Sequence, residues 1–340
     1  MRTRIRRTLL ETRWALFARH LAASKKPILL GPFRSEVGFE LLYWIPFLCY
    51  LREVYHIPAD RLIAIGRGGS ASWYRTAGVA DLYEFMPVEA VRTHAIKTSQ
   101  QTGSIKQHAD EGWERHVCAL AAASMGIGKY HVLSPTWMYQ LLAPWWEGNE
   151  PLSFLNAYTR QPKQLSAPPL DPTIKLPKRF IAMRWYARAT WPLKEDLTLW
   201  TRKLTEAVAS RIPVVLIDAG FQADDHADVN LGTIPNAMRL SDLAPHMTPL
   251  NNLAIQSSVI QRAQAYIGTY GGMAQGAMRW GIPTVALYTE FGHTAPAHLT
   301  LTQHLSLRTG VPFIAGTPDQ LDALIPLILK QAEQREAVYA

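Results

Sequence analysis

Hydrophobic positions along the chain form short continuous runs, and most of these runs are followed by an amphipathic segment. The runs are "PILL" from Pro27, "RLIAIG" from Arg61, "FIAM" from Phe180, "IPVVLI" from Ile212, "AYIGT" from Ala265 and "PTVALY" from Pro283. A strand that is covered on both faces of a parallel sheet has this continuous apolar character. The pattern therefore predicts an α/β protein with Rossmann-like, doubly wound sheets.

This alternation of predicted strands and helices occurs twice, once on each side of an irregular segment. Residues 141–178 are rich in proline and tryptophan and have no regular hydrophobic period. We therefore predict an N-terminal Rossmann-like domain over 27–140, an inter-domain crossing over 141–178 and a C-terminal Rossmann-like domain over 179–330. A length of 340 residues agrees with two domains.

Residues 1–26 form a separate basic segment with helical periodicity. They contain eight Lys and Arg residues and the single acidic residue Glu11, so they carry +7 of the chain's net charge of +8. The apolar residues of the predicted helix are Leu10, Trp14, Phe17 and Leu21. Two interpretations remain open: an interfacial helix on an anionic membrane, or a leading helix that packs on its own domain. No basic stripe with interleaved aromatic residues continues into the body, which argues against nucleic acid binding.

Composition indicates a reducing compartment. Cys49 and Cys118 are the two cysteines, and neither belongs to a CxxC motif. The chain has no run of 18 apolar residues, and its N-terminus lacks the apolar core of a signal peptide. We expect a cytoplasmic protein, with the basic helix as a candidate attachment to the inner face of the membrane.

The sequence Thr269-Tyr270-Gly271-Gly272 follows an apolar strand and precedes a predicted helix. Ligands of open parallel sheets bind beyond the carboxyl ends of the strands. A helix that begins there offers unpaired N–H groups to an anion, and glycines let a phosphate approach the backbone. The stretch is thus a candidate phosphate site, and a tight turn with glycines for packing alone remains the alternative.

Residues 250–290, with "QSSVIQRAQAYIGTYGG" and the following "GIPTVALY", resemble the C-terminal half of GT-B fold glycosyltransferases. The resemblance implies two Rossmann-like domains facing a cleft and a nucleotide-sugar donor on the C-terminal domain. It implies that Thr269, Gly271 and Gly272 meet the donor phosphates. It also implies that Gln275 reaches ribose or sugar hydroxyls and that Glu290 lies near the nucleotide; for Glu290, a solvated loop carboxylate is the alternative.

Two arginines, Arg184 and Arg188, follow the strand "FIAM". Arginine keeps its charge and binds phosphate oxygens bidentately, so an arginine at a strand's carboxyl end suits a donor diphosphate. Exposed loop charges are the alternative interpretation of both residues.

The loop "GPFRSEVGFE" after the first strand is the candidate source of the catalytic base. An acceptor hydroxyl must lose its proton as it attacks the sugar, and one carboxylate suffices for this step. Glu36 in the loop is our first candidate. Glu40, at the expected helix start, is the second, and its alternative role is to complement the helix dipole. Arg34 is a candidate for steering an anion or for pairing with Glu36.

The loop "GRGGS" follows the second strand, and its Gly68 is a candidate contact for an acceptor phosphate or another anion. A plain turn explains this loop equally well.

No metal and no cofactor is expected. The acidic loop "ADDHADVN" contains Asp224, Asp225, His226 and Asp228, and we interpret it as a solvated loop. The Asp-x-Asp motif of metal-dependent glycosyltransferases belongs to a different fold, and the arginines supply the positive charge that a metal ion would bring.

The sequence thus predicts a metal-independent glycosyltransferase that moves a sugar from a nucleotide-sugar to a glycan or lipid-linked acceptor, as in surface polysaccharide synthesis. Two alternatives are a sugar-nucleotide epimerase of the same fold and a non-catalytic nucleotide or sugar-binding protein.

Overall fold

The computed structural model describes residues 2–102, 111–187, 191–192, 194–221, 227–289, 295–320, 326 and 330. The chain divides into two units, Met1–Pro162 and Lys163–Ala340. Each unit contains a parallel sheet with helices between its strands, so the predicted α/β class with two Rossmann-like sheets is confirmed.

Unit 1 has a parallel sheet of four described strands in the order β3-β2-β1-β4. The strands are β1 (Ile28–Leu30), β2 (Leu62–Gly66), β3 (Gly78–Asp81) and β4 (His131–Leu133). The helices are α1 (Arg2–Ala23), α2 (Val37–Phe39), α3 (Ile45–Tyr55), α4 (Leu82–Phe85), α5 (Val88–Thr102), α6 (Glu111–Ser124) and α7 (Thr136–Trp146). Strand β1 pairs with β2 and β4, and its three residues are buried.

Unit 2 has a parallel sheet whose described strands follow the order β12-β11-β10-β5-β7-β9. These strands are β5 (Ile181–Arg184), β7 (Val214–Leu216), β9 (Ala237–Arg239), β10 (Ala265–Thr269), β11 (Thr284–Leu287) and β12 (Phe313–Gly316). The helices are α8 (Glu195–Ala209), α9 (Leu240–Leu243), α10 (Asn252–Ile260), α11 (Gly272–Arg279) and α12 (Ala295–Thr309). Strands β6 (Tyr186–Ala187) and β8 (Ala227–Asp228) form a separate antiparallel pair.

The segment between the predicted domains differs from the expectation. Residues 141–146 belong to helix α7, and the division between the units falls after Pro162. The sequence pattern missed α7 because Pro144 lies inside it. A proline inside a helix removes one backbone hydrogen bond and costs about 3 kcal/mol. Burial of Met138, Leu141, Leu142 and Trp145 opposes this cost.

Helices α2 and α3 are joined by a π-helical turn, Glu40–Trp44. Pro46 follows this turn and has no N–H with which to bond the carbonyl of Leu42. The side chain of Gln161 supplies that donor, with Nε2 at 2.8 Å from the Leu42 oxygen. The neighbouring Arg160 N–H donates to the Pro46 oxygen at 2.9 Å. The end of unit 1 thus supplies a donor to the carbonyl that the proline leaves unpaired, and it adds a second hydrogen bond at Pro46.

Helix α1 packs on unit 1 through the face that the sequence identified. Trp14, Ala18 and Leu21 are buried. The Trp14 ring centroid lies 4.9 Å from that of Phe47. The Phe17 ring stacks on Trp137 at 5.3 Å. This apolar face is therefore occupied by protein, and it is the packed interpretation of α1 that agrees with these contacts. Within the described residues, no helix combines the length and the apolar character that crossing a membrane requires.

Candidate functional site

The stretch Thr269-Tyr270-Gly271-Gly272, called here the glycine-headed turn, connects strand β10 to helix α11. Strand β10 lies in the middle of the unit 2 sheet. Gly271 has an extended backbone and is the N-cap of α11, which begins at Gly272. The first N–H groups of a helix have no acceptor within the helix. Gly271 is buried and Gly272 is half-buried. The backbone of the turn therefore has the form expected of an anion site.

The side chains of the turn make contacts within unit 2. The buried Thr269 Oγ1 accepts a hydrogen bond from the Tyr186 N–H at 3.3 Å. The Tyr270 N–H donates to the Leu287 oxygen at 2.7 Å. Gln275 is buried, and its Nε2 donates to the Tyr270 hydroxyl at 3.4 Å. These three side chains hold the turn in place, and their predicted contacts with a donor stay predictions.

Arg184 lies beside this turn, because β5 and β10 are neighbours and Gly268 is in register with Arg184. Its Nη1 donates to the Gln256 Oε1 at 2.8 Å. Its Nε lies 3.6 Å from the Asp228 Oδ1. The guanidinium centre lies 5.3 Å from the Tyr186 ring centroid. Arg188 and Glu290, the other two predicted donor residues, lie outside the described residues.

The contact with Asp228 corrects the interpretation of the acidic loop. Asp228 belongs to strand β8, pairs with Arg184 and accepts a hydrogen bond from the Ala219 N–H at 3.2 Å. It is therefore part of the Arg184 site and not a solvated loop residue. Asp224, Asp225 and His226 lie outside the described residues.

Sequence reasoning missed Gln256, Tyr266 and Gly268 at this site. Gln256 is fully buried on α10, and the Tyr266 hydroxyl is buried near Arg184. Burial raises the pKa of Tyr266, and the positive charge of Arg184 opposes that shift. A polar residue inside the apolar segment "LAIQSSVI" was the available signal for Gln256, since buried polar side chains need partners.

A second ion pair lies at the carboxyl ends of β7 and β9. Arg239 donates to the Asp218 Oδ2 through Nε at 2.9 Å and Nη2 at 2.8 Å. Ser241 also donates to Asp218, through its N–H and its hydroxyl. Arg184, Asp218, Asp228 and Arg239 line one small pocket with a cavity volume of about 20 Å³. This volume has room for a water molecule.

Unit 1 has its own cluster of charged groups at the carboxyl edge of its sheet. Glu40 is fully buried, and its Oε1 accepts hydrogen bonds from the Tyr74 hydroxyl at 2.6 Å and the Ser70 hydroxyl at 3.0 Å. Burial raises the pKa of Glu40, while the nearby Arg67 lowers it. Glu40 thus joins the helix to the segment 70–74, and its role toward the helix dipole stays a prediction.

Glu36 lies in the loop just before α2 and is half-buried. Its carbonyl accepts a hydrogen bond from the Glu40 N–H at 3.2 Å. Burial raises the pKa of the nearby Tyr139, and the charge of Glu36 acts in the same direction. Of the two candidate bases, Glu36 is the more accessible.

The backbone N–H groups of the loop "GRGGS" bind the side-chain carboxylate of Asp81. Gly68 and Gly69 have φ of 61° and 79°, a left-handed conformation that glycine adopts readily. The Gly69 N–H donates to the Asp81 Oδ2 at 2.7 Å, and the backbone of Gly68 also bonds this carboxylate. Contact of Gly68 with an external anion stays a prediction.

Arg34 is buried, and its guanidinium centre lies 5.0 Å from the Trp113 ring centroid on α6. This distance is within the range of a cation–π interaction. The side chain of Arg34 is thus directed toward α6, and its predicted role in steering an anion stays a prediction.

No protein-family model matches the chain, and no curated protein matches it. Solved structures with similar folds include three glycosyltransferases. E. coli ADP-heptose lps heptosyltransferase II has 14% identity and a TM-score of 0.45, with 90% of this chain and 99% of that chain covered. E. coli heptosyltransferase WaaC with ADP has 13% identity and a TM-score of 0.43, with 89% and 99% covered. The glycosyl transferase family 9 structure from Veillonella parvula has 12% identity and a TM-score of 0.42, with 89% of each chain covered.

Proposed function

We propose that the chain is a metal-independent glycosyltransferase that uses a nucleotide-sugar. The proposal depends on one observation above all: Arg184 and the glycine-headed turn lie side by side, on adjacent strands, at the carboxyl edge of the unit 2 sheet. Ligands of open α/β sheets bind at this edge. The donor would bind there through its diphosphate.

The charges around Arg184 are compatible with such a ligand. Arg184 and Asp228 are 3.6 Å apart, which is longer than a charge-assisted hydrogen bond. The Oε1 of Gln256 accepts a hydrogen bond from a different nitrogen of the guanidinium, Nη1. A phosphate would therefore meet a positioned arginine and the first N–H groups of α11, and no metal ion is required to neutralise it.

Unit 1 would supply the acceptor site and the base. Glu36 is the proposed base, because a general base must come within hydrogen-bond reach of the acceptor hydroxyl and Glu36 is half-buried. Glu40 is a positioning residue in this scheme, since its contacts are with Ser70 and Tyr74. The proposed acceptor is a glycan or a lipid-linked glycan, and we place the reaction in the cytoplasm.

The test combines binding and turnover. Calorimetry with ADP, UDP and GDP identifies the nucleotide, and incubation with the matching sugars, ADP-heptose included, measures transfer and hydrolysis. Arg184→Ala should weaken nucleotide binding about 10- to 100-fold, because a hydrogen bond to a charged group contributes about 1.5–3 kcal/mol. The matched control is Arg211→Ala, which removes an exposed charge that lies just before the amino end of β7.

Nucleotide affinity equal to wild type in Arg184→Ala would contradict the proposed donor site. Conversion of the sugar-nucleotide without any acceptor would favour the epimerase, and binding without turnover would favour the non-catalytic protein. Transfer that stops in EDTA and recovers with Mg²⁺ would contradict the metal-independent mechanism.

A further inference from the structure

Helix α1 carries a second apolar stripe, on a face that is not packed against unit 1. Ile5, Leu9 and Leu16 are 52%, 58% and 60% exposed. Their spacing of i, i+4 and i+11 places them on one side of an α-helix. With a rise of 1.5 Å per residue this outer stripe is about 16 Å long. It is distinct from the inner face with Trp14, Ala18 and Leu21.

The outer stripe is bordered by positive charge. Arg6, Arg13 and Arg19 are exposed. Arg13 lies one helical turn after Leu9, and Arg19 lies one turn after Leu16. The single acidic residue of α1, Glu11, is engaged elsewhere: it accepts hydrogen bonds from Arg7 at 3.0 Å and from the Tyr158 hydroxyl at 2.7 Å. The border of the outer stripe therefore has one sign of charge.

We propose that the outer stripe of α1 docks unit 1 on an anionic membrane surface. Apolar side chains bordered by arginines are the composition of helices that lie in the membrane interface. Long arginine side chains place their charge among the lipid head groups while their methylene groups cover apolar surface. Single-sign charge along both borders fits an anionic lipid surface better than it fits a second copy of this basic helix, which would bring arginines against arginines.

Docking through this face has a structural consequence. The inner face of α1 is fixed to unit 1 by the Trp14, Phe47 and Trp137 rings. A helix held in this way is part of the body and not a loose tail. Binding the outer stripe to a membrane would therefore also orient the sheet of unit 1 relative to that membrane, which suits an acceptor anchored in lipid.

The experiment measures co-sedimentation of the full chain with vesicles that contain about 30% phosphatidylglycerol. One variant, Ile5→Gln/Leu9→Gln/Leu16→Gln, removes the stripe and keeps good helix-forming residues. A second, Arg6→Gln/Arg13→Gln/Arg19→Gln, removes its border. The charge-matched control is Lys129→Gln/Lys178→Gln/Arg211→Gln, which removes three exposed positive charges elsewhere.

The wild type should bind these vesicles and should not bind vesicles of pure phosphatidylcholine. It should dissociate from the anionic vesicles as the salt concentration rises from about 50 to about 300 mM. The stripe variant should lose at least 10-fold in partition coefficient. The arginine variant should lose roughly 100-fold, since each arginine near an anionic surface contributes a factor of about five. The control should stay within about threefold of wild type, because its charges lie outside the stripe.

Two results would overturn the proposal. One is wild-type protein that does not bind anionic vesicles at low salt. The other is a stripe variant that binds them as wild type does; if that variant also changes from a dimer to a monomer in size-exclusion chromatography, the face belongs to a second copy. Melting temperature without vesicles shows that each variant is folded, since the substituted side chains are exposed.

Discussion

Glu36 and Glu40 lie four residues apart, yet their surroundings are very different. Glu40 is fully buried and bonded to Tyr74 and Ser70. Glu36 is half-buried and precedes the helix. A carboxylate that takes a proton from a substrate has to meet that substrate. The two residues should therefore respond differently to the same substitution.

We expect Glu36→Gln to lower kcat by roughly 10²–10⁴ while donor affinity is unchanged, because glutamine keeps the shape of the side chain and cannot accept the proton. Glu40→Gln should reduce kcat much less, since its amide oxygen still accepts from Tyr74 and Ser70. Steady-state kinetics with the donor identified above measures both. The opposite ranking would transfer the role to Glu40, and near-normal kcat in both variants would remove this loop from the chemistry.

Asp81 is another buried carboxylate of unit 1 and should titrate in an unusual range. Burial raises its pKa from 3.8 to about 6, although hydrogen bonds from the Gly69 and Tyr83 N–H groups lower it. Between these two values the folded chain binds more protons than the unfolded chain does. The free energy of unfolding therefore falls as pH rises through this window. The stabilisation is complete below the lower value and is lost above the upper one.

The Asp81→Asn variant lacks this titration, so a comparison of its stability with that of the wild type isolates the effect of Asp81. The free energy of unfolding of the wild type, minus that of the variant, should be about 2 kcal/mol larger near pH 4.5 than near pH 7.5. Urea unfolding at the two pH values measures the difference, and subtracting the variant cancels the titration of all other groups. A difference that is constant with pH, or that grows as pH rises, would show that burial does not control this carboxyl group.

At the level of elements, the contact between β5 and β10 depends on the missing side chain of Gly268. A Cβ atom at this position would lie 2.3 Å from the Arg184 carbonyl oxygen and 2.9 Å from the Tyr266 hydroxyl. Real Cβ atoms do not approach backbone oxygen so closely. The two strands that carry Arg184 and the glycine-headed turn thus lie side by side only because residue 268 is glycine.

Gly268→Ala should therefore lower the free energy of unfolding by about 1–3 kcal/mol, the usual cost of overpacking. It should also weaken nucleotide binding, because the added methyl group displaces the backbone of Arg184. Gly128→Ala is the matched control, since its Cβ would meet no atom within 4 Å, and it should change stability by less than about 0.5 kcal/mol. Guanidinium unfolding and calorimetry measure both effects. A Gly268→Ala protein as stable as wild type would contradict this account.

At the level of the whole molecule, charge is concentrated in one element. Residues 1–26 carry +7, and the other 314 residues carry +1. The chain as a whole is basic because of α1 and its flanks, and α1 is packed on unit 1. The high isoelectric point therefore describes one surface and not the body, which agrees with a localised attachment rather than with general affinity for polyanions.

The sequence by itself determined the two parallel α/β units and the positions of their main strands and helices. Buried parallel strands need continuous apolar runs, and these are visible locally; the strand "AYIGT" and the helix from Gly272 are observed where the pattern places them. The sequence also placed Arg184 at the carboxyl end of β5. It missed α7, since Pro144 masks its helical period.

Only the tertiary structure decided which distant groups contact Arg184, the glycine loop and the two glutamates. Gln256 reaches Arg184 from 72 positions away, Asp81 accepts from the glycine loop, and Glu40 is buried while Glu36 is half-buried. Helix α1 packs through the apolar face that the sequence identified, but only the structure showed that protein covers this face while Ile5, Leu9 and Leu16 stay exposed. Periodicity reports the polarity of each position, whereas burial, ion pairing and pKa depend on what folds against it from distant parts of the chain.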